Sequence, residues 1–197
     1  MLVVIDYGGA NIASVLYAFE RLGIKARLTD NPEEINKAEK VIFPGVGAAA
    51  QSMDYIREKE LESCIQNLKQ PVLGICMGMQ LLFSHSEENN CGLLDIIQGE
   101  VKHFSKDKNM TIPHMGWNNL SLKNTSPLLE NIDENNFFYF VHSYYVPLDD
   151  YTLASCQYAD NFSAIIQKDN FYGCQFHPEK SGQSGEKILK NFIERVS

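Results

Sequence analysis

Over the first eighty residues, short apolar runs alternate with stretches of helical spacing. Leu2-Val3-Val4-Ile5 is continuous and predicts a buried strand. Ile12, Val15, Leu16, Phe19 and Leu22 recur at three- and four-residue steps and predict a helix over 11–22. Residues 25–29 predict a second strand. Asn31-Pro32-Glu33-Glu34 reads as a helix start, with an asparagine cap, proline at the first helical position and glutamate three after the cap. Residues 40–43 predict a third strand, closing on Pro44-Gly45-Val46-Gly47. Helical spacing then covers 51–68, and residues 72–75 predict a fourth strand. Short apolar strands alternating with helices predict a parallel sheet covered on both faces, with ligands beyond the carboxyl ends of its strands.

The second half changes character. Residues 100–104, 137–146, 151–158, 163–167 and 171–176 read as strands joined by short turns, with Lys168-Asp169-Asn170 as a hairpin connection. Residues 185–196 predict a closing amphipathic helix, with Ile188, Leu189, Phe192, Ile193 and Val196 on one face. The expected fold class is α/β: a mostly parallel central sheet flanked by helices, with antiparallel strands in the C-terminal half. No repeat or low-complexity linker interrupts the 197 residues, so 1–197 reads as a single domain.

Composition narrows the function. The formal net charge is −8 and no Lys/Arg-rich run occurs, which argues against nucleic acid as a partner. The five cysteines are odd in number and none has C-x-x-C spacing, so neither a disulfide framework nor a zinc site is indicated. Reduced thiols point to a cytoplasmic protein. The chain opens directly on its first strand without a basic leader, and no apolar run approaches a membrane span.

Candidate chemistry begins at Gly74-Ile75-Cys76-Met77-Gly78. It follows the fourth strand and precedes Met79-Gln80-Leu81-Leu82-Phe83, which reads as a helix. A side chain at such a strand–turn–helix elbow is lifted out of the sheet. The flanking glycines relieve a strained turn, and a helix N-terminus favours the thiolate. Cys76 is therefore a candidate nucleophile, although most cysteines are inert core residues and this one needs a base. Gln175-Phe176-His177-Pro178-Glu179-Lys180 ends a strand and offers one. Proline restricts His177 to an extended backbone, and extended residues i and i+2 share a side, so Glu179 can orient the imidazole. That is nucleophile–base–orienter logic. His85, His103, His114 and His142 are competing bases; His85 and His103 read as surface residues, and His114 lies in Pro113-His114-Met115-Gly116-Trp117. His142, inside a strand, is the serious rival base, and a core histidine bonded to backbone is the simpler account of it.

Three separated blocks, Pro44-Gly45-Val46-Gly47, Gly74 to Gln80 and Gln175 to Lys180, resemble the triad-type (class I) glutamine amidotransferases, a flavodoxin-like family. Asp6-Tyr7-Gly8 with Asn11, Pro113-His114-Met115-Gly116-Trp117-Asn118 and Tyr139-Phe140-Val141-His142-Ser143-Tyr144 are similar, within that family, to the glutaminase subunits of imidazole glycerol phosphate synthases. The resemblance implies a Cys76–His177–Glu179 triad that hydrolyses glutamine through a cysteine thioester. It implies an oxyanion hole from the N–H groups of Val46 and Met77, and substrate contacts at Gly45, Gly47, Gln80, Glu88, Ser143 and Tyr144. It implies no cofactor, and delivery of ammonia to a TIM-barrel cyclase subunit that makes imidazole glycerol phosphate and the aminoimidazole carboxamide nucleotide in histidine biosynthesis. Trp117 and Tyr139 are candidate contacts to that partner. Two positions depart from the family pattern: Ala10 stands where glycine usually precedes Asn11, and Met77 where leucine often follows the nucleophile.

Overall fold

The computed structural model describes residues 1–8, 12–105 and 110–197, so Ala10 and Asn11 lie outside the described residues. The predicted strands of the N-terminal half form β1 (Leu2–Ile5), β2 (Ala26–Thr29), β3 (Lys40–Phe43) and β4 (Val72–Ile75); β1, β3 and β4 are buried apolar runs, and β2 is exposed or half-buried along its length. Helices α1 (Ile12–Arg21), α2 (Pro32–Asn36), α3 (Ala49–Glu58) and α4 (Glu62–Gln66) lie between them, and the single turn α5 (Met77–Gln80) follows β4. Next come β5 (Phe83–Ser86), β6 (Cys91–Gly92), β7 (Ile97–His103), β8 (His114–Asn119), β9 (Ser121–Leu122), β10 (Phe137–His142) and β11 (Tyr144–Tyr145). Strands β12 (Thr152–Gln157), β13 (Asn161–Lys168) and β14 (Phe171–Cys174) and helix α6 (Gly182–Glu194) complete the chain.

The main sheet runs β2-β1-β3-β4-β14-β13-β12-β9. It is parallel from β2 to β14 and antiparallel beyond. Strand alternation divides the core. Val3, Ile5, Val41, Phe43 and Val72 pack on one face with Ile35, Met53, Ile56 and Ile65. Val4, Ile42, Leu73 and Ile75 pack on the other with Phe19, Ile188 and Phe192. The hairpin at Asp169 turns β14 back so that it lies parallel against β4, with Cys174 opposite Ile75. A smaller sheet, β11-β7-β5-β6, and a ribbon, β8–β10, cover the carboxyl end of the parallel strands.

Several expectations are corrected. The helical pattern over 51–68 breaks into α3 and α4 around Glu60, which adopts φ +56°. The helix after the elbow ends at Gln80, and Phe83 opens a strand against β7. Leu81, Leu82 and Phe83 are buried on all sides, so their run carries no period that separates helix from strand. The 137–146 run divides at Ser143 into β10 and β11. Strands β5, β6, β8 and β9 have no counterpart in the sequence reading; two of them are only two residues long. Among the described residues no helix is long and apolar enough to cross a membrane.

Candidate active site

Strands β3, β4 and β14 are neighbours, so their carboxyl ends open side by side. Cys76 leaves β4 with φ 52° and ψ −108°, a conformation rarely adopted by a residue with a Cβ. Its N–H donates to the Cys174 carbonyl at 2.8 Å, which ties the elbow to β14. On the other side α5 crosses the end of β3 with almost no clearance. A Cβ at Gly78 would overlap the Phe43 carbonyl, and one at Gly45 would lie 2.5 Å from the Gly78 nitrogen. Two glycines therefore let Pro44–Gly47 run directly beside the Cys76 elbow. Gly47 has φ +98°, which glycine adopts without strain.

His177 follows β14 and is 2 % exposed. Its N–H donates to the Tyr139 carbonyl at 2.9 Å. The Ser181 hydroxyl donates to the His177 carbonyl and accepts from the Tyr139 N–H, at 2.6 and 2.9 Å. His177 Nδ1 lies 2.8 Å from Glu179 Oε1, with both side chains buried. The expected pairing is present but its backbone origin differs. His177 is extended, whereas Pro178–Lys180 is a 3₁₀ turn that carries Glu179. With Nδ1 engaged, Nε2 is left for the sulfur. Burial opposes a charged imidazole here. The neighbouring Cys76 sulfur and the Glu179 carboxylate outweigh it and push the His177 pKa up to about 10.

Cys76 and His177 line one cavity of about 360 Å³, together with Val46, Gly47, Met77, Gln80, Glu88, Ser143 and Tyr144. Gly45 stands behind the wall, against a narrow space shared with His177 and Glu179. Gln80 Nε2 donates to the Tyr144 carbonyl and to Gln175 Oε1, both at 2.9 Å, so both amide hydrogens are used inside the protein and Oε1 is left for a ligand. Glu88 Oε2 accepts from the Ala49 N–H at 2.7 Å, at the start of α3. Glu88 therefore caps a helix as well as lining the cavity.

The rival histidines separate clearly. His142 lines the cavity, but its Nδ1 bonds the Tyr144 carbonyl at 2.8 Å and its Nε2 lies 3.1 Å from His114 Nδ1. Burial lowers the pKa of His142 to about 3 and of His114 to about 4, leaving both neutral. His85 pairs with Glu100 at 3.4 Å, and His103 Nδ1 lies 2.7 Å from the Phe104 carbonyl. All five cysteines are free, and among the described residues no group of three or more His, Cys, Asp or Glu is arranged to hold a metal ion.

One residue of this site was missed. Gln175, fully buried, donates from Nε2 to Cys76 Sγ at 3.6 Å. Its only mark in the sequence is an amide between Cys174 and Phe176 in an otherwise apolar strand end.

The profile of class-I glutamine amidotransferases matches residues 3–196. The HisH subunit of imidazole glycerol phosphate synthase from Bacteroides thetaiotaomicron is 48% identical over 194 residues, covering 98% of each chain. That from Haemophilus influenzae is 47% identical over 195 residues, covering 99% of this chain and 98% of its own. The chain belongs to the class-I glutamine amidotransferase family, among the HisH subunits. The fold agrees with that of solved class-I relatives. A putative GMP synthase component from Thermoplasma acidophilum superposes with a TM-score of 0.73 at 19% identity, covering 98% of this chain and 91% of that one. A second glutamine amidotransferase gives 0.72 at 17% identity, covering 98% and 97%. The elbow, Val46 and Gly47, and His177 meet at one cavity, and Glu179 and Gly45 lie behind its wall.

Proposed function

We propose that this chain is the glutaminase subunit of an imidazole glycerol phosphate synthase, acting as one glutamine amidotransferase domain over its whole length. The observation that carries the proposal is the order β3-β4-β14, which sets Cys76 between the Pro44–Gly47 segment and the His177–Glu179 pair. The Cys76 thiolate adds to the side-chain carbonyl carbon of glutamine. The C–N bond breaks, and His177 Nε2 passes its proton to the departing nitrogen. Ammonia and a γ-glutamyl thioester result. Water gives a proton to His177 and adds to the thioester, the sulfur leaves, and glutamate is released. Glu179 holds the tautomer of His177 through the 2.8 Å bond. The N–H groups of Met77, at the first position of α5, and of Val46 receive the oxyanion; each such donor is worth about 3 kcal/mol. Gln80 Oε1 and the Glu88 carboxylate are the acceptors for substrate N–H groups, and Gly45, Gly47, Ser143 and Tyr144 shape the amino-acid end.

Ammonia passes to a TIM-barrel cyclase subunit, which makes imidazole glycerol phosphate and the aminoimidazole carboxamide nucleotide. The docking face is the ribbon β8–β10. Its inner residues His114, Phe138 and Phe140 are buried, while Met115, Trp117 and Phe137 on the outer face are 63, 56 and 51 % exposed. Trp117 and Tyr139 stack edge to face there, with ring centroids 6.0 Å apart. Val141, on the same ribbon, lines the cavity, so a partner seated on this face stands at the ammonia exit. The free cysteines suit a cytoplasmic location. The test is glutamate release from glutamine by the purified chain, alone and with a histidine-pathway cyclase barrel. Stimulation by the barrel is the expected result. Release unchanged by the barrel contradicts the assignment to this synthase.

A further inference from the structure

Gln175 and Gln80 form a short chain of amides whose orientation is fixed at one end by the backbone. The Tyr144 carbonyl can only accept, so the Gln80 group 2.9 Å from it is Nε2. Gln80 Nε2 also meets Gln175, so the Gln175 atom there is Oε1. That leaves Gln175 Nε2–H directed at Cys76 Sγ, 3.6 Å away and out of solvent. Turning the Gln175 amide over would set two NH₂ groups against each other and a carbonyl oxygen against sulfur. Among the described residues, the titratable groups around the sulfur include His177 after β14, Cys174 in β14 and Tyr7 after β1, with His142 and Glu88 lining the same cavity. Burial raises the Cys174 thiol and the Tyr7 hydroxyl well above their ordinary values, so both are neutral. His177 is the only one of these that is a cation at neutral pH, and it also has to shuttle the proton. The Val141 carbonyl, at 4.0 Å, can only accept from the thiol form.

We propose that Gln175 is a further catalytic residue of the glutaminase reaction, an uncharged donor that stabilises the Cys76 thiolate. The inference rests on the reading of Cys76 as the nucleophile. An N–H directed at sulfur favours thiolate over thiol, because the charged acceptor makes the stronger bond. The bond weakens when sulfur is acylated and loses its charge. It reforms when the thioester collapses and sulfur leaves as thiolate. Gln175 thus assists both the resting nucleophile and the hydrolytic step, without exchanging a proton. Gln80 gains a fixed orientation from the same contact, which keeps its Oε1 toward the cavity.

The full-length protein is treated with iodoacetamide across a range of pH, and modification at Cys76 is followed by peptide mass spectrometry. Gln175→Met fills similar space without donating, and should raise the midpoint of Cys76 alkylation by about one pH unit. Gln175→Glu still accepts from Gln80 but puts a carboxylate beside sulfur, and should raise the midpoint further. A wild-type midpoint in Gln175→Glu means that Gln175 only braces Gln80, and overturns the proposal. Should neither variant fold, the ¹⁵N-labelled native protein gives an independent reading. The Gln175 side-chain amide proton should shift with the same midpoint as alkylation, and a constant signal overturns the proposal. Glutamine hydrolysis by the alkylated native protein is scored separately. If it persists, the nucleophile reading fails, and with it the catalytic role; if it is lost while the midpoints do not move, only the role of Gln175 fails.

Discussion

The two carboxylate oxygens of Glu179 stand in unequal surroundings. One carboxylate oxygen bonds His177, and the other is buried without a hydrogen-bond partner among the described residues. The charge is therefore balanced chiefly through the imidazole, which fits the raised pKa of His177. Glu179→Gln keeps the shape and removes the charge. We expect it to lower glutamine hydrolysis by about 10³-fold, the scale of a misoriented general base, measured as kcat in the reconstituted pair. It should also flatten the dependence of stability on alkaline pH. His177 has a folded pKa of about 10 against an ordinary 6.5, so its pairing contributes fully below 6.5 and is lost as pH rises through about 10. Urea midpoints at neutral pH and near the folded pKa should fall less in the variant than in the native protein. The pairing of His177 with Glu179 was legible in the sequence because proline and glutamate follow the histidine directly. Gln175 was not, because its two partners, Cys76 and Gln80, are 99 and 95 positions away. A buried amide has meaning only through what it touches.

At the scale of elements, the site depends on how closely α5 crosses β3. Gly78→Ala places a methyl group against the Phe43 carbonyl, where backbone on both sides leaves no room to yield. The expected loss is about 3 kcal/mol or more of folding stability, with partial displacement of the Pro44–Gly47 segment. Gly92→Ala, where an added Cβ meets nothing within 4 Å, should change stability by no more than about 0.5 kcal/mol. Chemical denaturation of the two variants makes the comparison. Strands β1, β3 and β4 were legible because each is a compact apolar run between polar turns, whereas β2 is exposed or half-buried along its length and carries no such run; Asn31-Pro32 marked α2 by its cap, whose side chain accepts from the Glu33 N–H at 2.9 Å. The elbow at Cys76 was legible from its glycines. Strands β5 and β8 were not. Phe83 closes an unbroken buried run and the half-buried Ser84 and His85 follow it, which gives no strand period, and His114–Asn119 is read only once β10 is paired beside it. The break around Glu60 falls where a single residue takes positive φ, which an amphipathic pattern does not register.

Across the whole molecule, the cavity at Cys76 and the exposed ribbon face adjoin through Val141. The inner face of β8–β10 builds the core, Val141 reaches the cavity, and the outer face presents Met115, Trp117, Phe137 and Tyr139. Trp117→Ala should weaken association with the cyclase barrel by about tenfold, as for a central aromatic contact, and leave the chain's own fold intact; titration calorimetry reads this directly. The arrangement of layers was legible from alternation alone, but the covering of the strand ends by β5–β8, β10 and β11 was not, because those segments gain their order from one another rather than from local spacing. The measurement that bears most directly on the account is the activity of Cys76→Ser in the reconstituted pair, first with glutamine and then with free ammonium. Glutamine-driven turnover should be lost while ammonium-driven turnover continues. Glutamine-driven turnover that survives the substitution contradicts the account.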